Sequence, residues 1–285
     1  MVSIKLQFCQ QLIALSLGMG VAAGVLGATP GAVFAADQAP ATRLAEARRL
    51  YNEARYDAAI ELATTLTTAA ATRQAAWLIA GRAGLERFRQ SARPEDLLAA
   101  REALRRVDPA GLDARDRLEL VVGLGEALYL EESFGPAAEV FDSVVERAGE
   151  LGPRARDQVL DWWATALDRH AQAMPPANQL PIYGSIRETM ARELRRDPSS
   201  AAASYWSAAA ARVLGDLDGA YAAAMAAWVR AQLMADRGAS LKPELDRLVL
   251  QGIVPERARR LAGEGSPDQI ITKTAAEWEA FKARW

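Results

Sequence analysis

From Ala41 to Trp285 the apolar residues recur at i, i+3, i+4 and i+7, with almost no alternation of period two. That is the pattern of amphipathic helices and not of half-buried strands. Short Gly, Pro and Asp punctuation interrupts it near residues 52–55, 68–72, 89–94, 108–113, 132–136, 149–153, 174–181, 197–200, 215–218, 236–243 and 263–267. The segments between run to roughly 12–20 residues, the ordinary length of globular helices. The spacing therefore predicts an all-α chain of helices joined by short links. Composition agrees: of 285 residues 61 are Ala and 30 Arg, against 4 Lys. Ala and Arg are strong helix formers.

Internal repetition separates a bundle from a solenoid. In residues 117–145, Val121, Leu124, Gly125 and Leu128 mark one helix, and Phe134, Ala137, Phe141 and Val144 mark the next. Gly125 and Ala137 are the small residues that let two antiparallel helices approach. This spacing resembles a tetratricopeptide repeat. The frame recurs more weakly at 41–70 (Ala47, Tyr56, Ala59, Ala63), 74–109 (Trp77, Ala80, Gly81) and 155–198 (Leu160, Trp163, Ala164, Leu167). It is clear again at 201–232, where a Gly215-Asp216 turn precedes Ala220, and there Asp218 reads as an N-cap. The resemblance implies an α-solenoid of antiparallel helix pairs. Trp278, Phe281 and Trp285, at i, i+3 and i+7, read as the apolar stripe of a C-terminal capping helix. In the register of the resemblance, the first helices of the pairs line a concave groove. Its candidate binding residues are Arg48, Tyr51, Arg82, Glu126, Tyr129, Asp168, Tyr205 and Arg212.

Residues 1–35 differ from all that follow. Lys5 is the only charge before Asp37, an apolar run extends from Leu12 to Leu26, and Val33-Phe34-Ala35 offers a cleavage site. A charged start, an apolar middle and a small-residue exit are the layout of a secretory signal peptide, with a retained anchor as the alternative. The expected organisation is a signal peptide over 1–35, a repeat array over 36–240 and a helical cap over 241–285. A periplasmic or secreted location follows, with no stable membrane span after cleavage. The one cysteine, Cys9, lies within the signal, so the mature chain has no thiol.

The chemistry of the remaining residues is sparse. The one histidine, His170, has Asp168 and Arg169 beside it. Neighbours one or two apart on a helix do not face each other, so Asp168 is poorly placed to orient it. No cofactor or metal is expected from one histidine and no available cysteine. Asp216-Leu217-Asp218-Gly219 lacks the terminal carboxylates of a calcium loop. Trp162 and Trp163 point about 100° apart on a helix, which leaves one of them to meet the groove. The net charge of −2 carries no electrostatic footprint for nucleic acid. The expected function is a non-enzymatic exported scaffold that binds a protein, peptide or cell-envelope partner. The alternatives are a periplasmic small-ligand binding protein whose link at 174–181 closes as a lid, and a hydrolase with dispersed carboxylates.

Overall fold

The protein is described by a computed structural model covering residues 39–261 and 266–285. Residues 1–35, expected above to be a signal peptide, lie outside the described residues. No strand occurs among the described residues. The fold is all-α, built of helix pairs stacked in chain order. It divides into two compact units, one ending at Leu130 and the other running from Glu131 to Trp285. The division falls inside 117–145, the stretch with the clearest repeat spacing.

The N-terminal unit contains α1 (Pro40–Asn52), α2 (Tyr56–Leu66), α3 (Arg73–Ser91), α4 (Pro94–Arg105), a 3-10 turn at Pro109–Gly111, and α5 (Ala114–Leu130). α1 and α4 open on proline, whose missing N–H costs nothing in a first turn. Each helix packs on the next as far as α4, and α5 lies against both α3 and α4. Leu78, Leu85, Leu104 and Leu120 form one buried cluster, and Ala47, Ala63, Ile79 and Ala103 another.

The α3–α4 approach depends on two glycines. A Cβ on Gly84 would lie 2.8 Å from the Ala100 Cβ, and one on Gly81 would lie 2.6 Å from Leu104 Cγ. A leucine at position 84 has no space without separating the helices. Overpacking of this kind typically costs about 1–3 kcal/mol. Gly84→Leu should therefore lower the unfolding free energy of the N-terminal unit by about that amount, read from denaturant unfolding; an unchanged value would mean the helices are not in this register.

The C-terminal unit contains α6 (Phe134–Asp142), a 3-10 turn at Ala148–Leu151, α7 (Pro153–Gln172), α8 (Pro176–Arg196), α9 (Ala201–Val213) and α10 (Leu217–Ala231). After these, α11 (Lys242–Arg247) passes through a π-helical turn (Leu248–Ile253) into α12 (Val254–Arg260), and α13 (Pro267–Lys282) follows. The helix α7 is enclosed by α6, α8 and α9. Both Trp162 and Trp163 are consequently buried, at 2% and 1% exposure, and neither is left for a groove. Much of the alanine content has a packing role: Ala203, Ala208, Ala210 and Ala211 on α9, and Ala220, Ala224, Ala227 and Ala231 on α10, are all buried. Their short side chains let these two helices pack closely.

Three sequence expectations are corrected here. The segment 174–181 is not a lid: α8 begins at Pro176 and runs through Pro181. Pro181 falls near the start of the helix, where its missing N–H removes a single intrahelical bond. The N-cap of α10 is Asp216, whose carboxylate accepts from the Gly219 N–H at 3.0 Å, while Asp218 sits in the first turn and pairs with Arg257 at 2.9 Å. Of the C-terminal stripe, Trp278 and Phe281 are buried, at 0% and 7% exposure. Trp285 lies beyond the end of α13 and is 60% exposed, so it does not share their burial.

Candidate functional site

In the N-terminal unit the sequence places charged residues at helical spacing on the first helices of successive pairs. Arg48 and Tyr51 are one turn apart on α1, Arg82, Glu86 and Arg89 follow i, i+4, i+7 on α3, and Asp116 and Glu126 lie on α5. The fold brings them onto one seam. The Tyr51 hydroxyl stands 3.4 Å from Arg82 Nη2, and Arg82 Nη1 donates to Glu126 Oε2 at 2.6 Å. Arg89 Nη1 donates to Glu86 at 2.9 Å. Arg48 donates to Asp116, joining α1 directly to α5. Tyr129 stands one turn beyond Glu126 on α5 and is half-buried.

The electrostatics of this seam are uneven. Glu126 is fully buried, whereas 12% of the Arg82 side chain reaches solvent. Burial pushes the Glu126 carboxyl up to about 7, with the Glu86 carboxylate adding to the shift and Arg82 and Arg89 opposing it. Burial also raises Tyr51. For Arg82, burial works against the charge, but Tyr51, Glu126 and Glu86 together hold its pKa above the ordinary value.

The C-terminal unit assembles the other three candidates. Asp168 on α7 accepts from the Tyr183 hydroxyl of α8 at 2.7 Å and from Gln172 at 2.6 Å. Burial raises the Asp168 pKa against the opposing effects of Tyr183, Arg169 and Arg212. Tyr205 on α9 is raised by burial and by the carboxylates of Glu244, Asp168 and Asp161. Arg212 on α9 grips Glu256 of α12 through Nε and Nη2 at 2.8–3.1 Å. The π turn makes room for it: a Cβ on Gly252 would lie 2.9 Å from the Arg212 guanidinium carbon. Arg212 Nη1 has no hydrogen-bond partner among the described residues, and about a third of the side chain is exposed.

Sequence reasoning missed Glu86, Arg89, Asp116, Tyr183 and Glu256. Arg82-Glu86-Arg89 was legible as an opposite-charge ladder on one helix face. Glu256 carried no such signal, because it meets Arg212 across 44 positions. Also missed was a recurring link in which a tryptophan indole donates to an aspartate of a neighbouring helix. Trp163 donates to Asp142 at 3.2 Å, Trp206 to Asp161 at 2.9 Å and Trp278 to Asp246 at 2.7 Å. A buried indole N–H needs an acceptor, and each of these aspartates supplies one. His170 is half-buried at the end of α7, its ring against the backbone of Gly135, where a Cβ would stand 3.0 Å from the ring.

Most charged groups of both seams are thus paired with each other, which ties helices together. Arg212 is likewise paired, with Glu256, and about a third of its side chain stays exposed. No helix among the described residues is long and apolar enough to cross a membrane. No protein-family model matches the chain, and no curated protein or solved structure is significantly similar to it. The fold alone defines its class: an all-α protein of stacked helix pairs closed by a C-terminal helix.

Proposed function

We propose that the protein is an exported, tetratricopeptide-like scaffold that binds a protein or peptide of the cell envelope along the first helices of its pairs. The observation that carries this reading is the recruitment of aromatic and oppositely charged side chains from successive helices onto common seams. Arg212, paired with Glu256 on the C-terminal unit, keeps about a third of its side chain exposed. Mixed aromatic and charged residues suit protein recognition where they reach solvent, and stacked helix pairs can present such residues over a long span. Export rests on the charge and apolar pattern of residues 1–35. The small-ligand alternative needed a closed aromatic pocket, and its candidate lid at 174–181 is largely taken up by the start of α8.

Photo-crosslinkers placed at Arg212 and Tyr129 in the native envelope test the proposal. The expected result is a recurrent protein adduct from each position, each tested on its own unit, with helicity retained. Crosslinking only to water and lipid from both positions would sink it.

A further inference from the structure

Glu126 is the most deeply enclosed carboxylate of the N-terminal unit, and its two oxygens are unequal. Oε2 accepts from Arg82, while Oε1 is sealed from solvent with no hydrogen-bond partner. Arg89 Nη1 stops 3.8 Å from Oε1, outside hydrogen-bond reach, because it is turned to Glu86. An unsatisfied oxygen on a buried carboxylate carries the full desolvation cost of that group. As a neutral acid, Glu126 still accepts from Arg82 and no longer places a second anion beside Glu86. Arg82 keeps 12% of its side chain in contact with solvent, and Glu126 keeps none.

Beyond the Arg82 bond and the Arg89 charge at 3.8 Å, no group around Glu126 donates a hydrogen bond to Oε1. On α3 the groups that face it are Arg82, Glu86 and Arg89. α1 contributes Tyr51, through Arg82, and its Arg48 is taken by Asp116 at the other end of α5. α4 meets α3 through Ala100 and Leu104, and its buried Asp96 is held by Ser91, Arg93 and Arg87. The upward displacement of the Glu126 carboxyl agrees with this geometry.

We propose that Glu126 is a proton-gated strap between α3 and α5: the neutral acid holds the seam of Tyr51, Arg82, Glu86 and Arg89 closed, and loss of its proton loosens it. The sign follows from linkage. A carboxyl that binds its proton more tightly in the folded state stabilises that state fully below its unfolded pKa. The stabilisation then falls as pH rises from about 4.5 and is gone above about 7. The steepest slope one group can impose is about tenfold in the opening constant per pH unit.

The test is amide exchange of α3 and α5 in the mature chain and its Glu126→Gln variant at pH 5, 6, 7 and 8. Intrinsic exchange rates cancel in the ratio of the two proteins. The ratio of wild-type to variant opening constants should rise by up to about tenfold per pH unit from pH 5 to about 7, then level. A ratio that stays flat, or falls as pH rises, would overturn the strap. If the variant does not fold, the carboxyl carbon of Glu126 is titrated in the wild-type protein by NMR. A midpoint near neutrality supports the proposal, and one at or below the ordinary carboxylate range refutes it.

Discussion

Replacing Trp278 with alanine should destabilise the C-terminal unit by about 3–5 kcal/mol, the range for emptying a fully buried tryptophan site. The side chain is 0% exposed and packs against three other aromatic rings. It stacks on Phe281 at 5.8 Å, meets Trp228 edge-on at 5.5 Å and lies 6.2 Å from Tyr221. Its indole N–H donates to Asp246, which also receives Lys282 at 2.8 Å. The contacts come from α10, α11 and α13 itself, so one ring holds the last helix onto α10 and α11. A unit of this size shifts by roughly 2–4 °C per kcal/mol, so a loss of ten degrees or so in melting temperature is expected. Trp285→Ala is the internal control. That ring is mostly exposed, and its residue is tied down by its main-chain carbonyl, which accepts from Gln232 at 2.6 Å. Its removal should change stability by no more than about 0.5 kcal/mol. Equal effects of the two substitutions would show that α13 does not cap the unit as described.

The contrast between these two tryptophans shows how far periodicity reaches. Spacing of i, i+3 and i+7 put Trp278, Phe281 and Trp285 on one stripe, and the first two obey it. The helix ends at Lys282, however, and a stripe has meaning only while the helix continues. Helix existence was legible throughout, because amphipathic periodicity is a local signal. Enclosure was not. Trp162 and Trp163 could be assigned to different faces, yet the sequence carries no mark that α7 is covered on both by α6, α8 and α9. The candidate seam residues were partly legible for the same reason. Tyr51, Arg82 and Glu126 do meet, as a common helix face requires, and Arg48 pairs apart from them with Asp116; that these groups would satisfy one another depends on tertiary distances. Asp116 and Glu256 complete the ion pairs of Arg48 and Arg212 from 68 and 44 positions away, and no local pattern announces them.

Arg156→Met should be among the costliest single changes in the C-terminal unit, at about 3–5 kcal/mol, the range for stripping one partner from a buried ion pair. Arg156 is 6% exposed and Glu193 is 2% exposed. The guanidinium Nε donates to both Glu193 oxygens, at 2.9 and 3.1 Å, and Nη2 donates to the same carboxylate. Its Nη1 donates to the carbonyls of Val145 and Glu146 at 3.0 and 3.1 Å, which lie just beyond the end of α6. One side chain of α7 therefore holds the turn after α6 on one side and the last turns of α8 on the other. Methionine keeps most of the apolar stem, so the loss reports on the charged head. Glu193 would retain Arg196 at 2.8 Å, but half of that side chain is in water and it cannot reach the two carbonyls. The double variant Arg156→Met/Glu193→Leu separates the two contributions. Replacing both members of a buried pair by apolar groups is often close to neutral, so the double variant should recover much of the lost stability, leaving chiefly the cost of the two orphaned carbonyls. Denaturant unfolding of the four proteins closes the cycle. A single variant as stable as wild type, or a double variant no better than the single, would show that Arg156 does not hold these helices through Glu193.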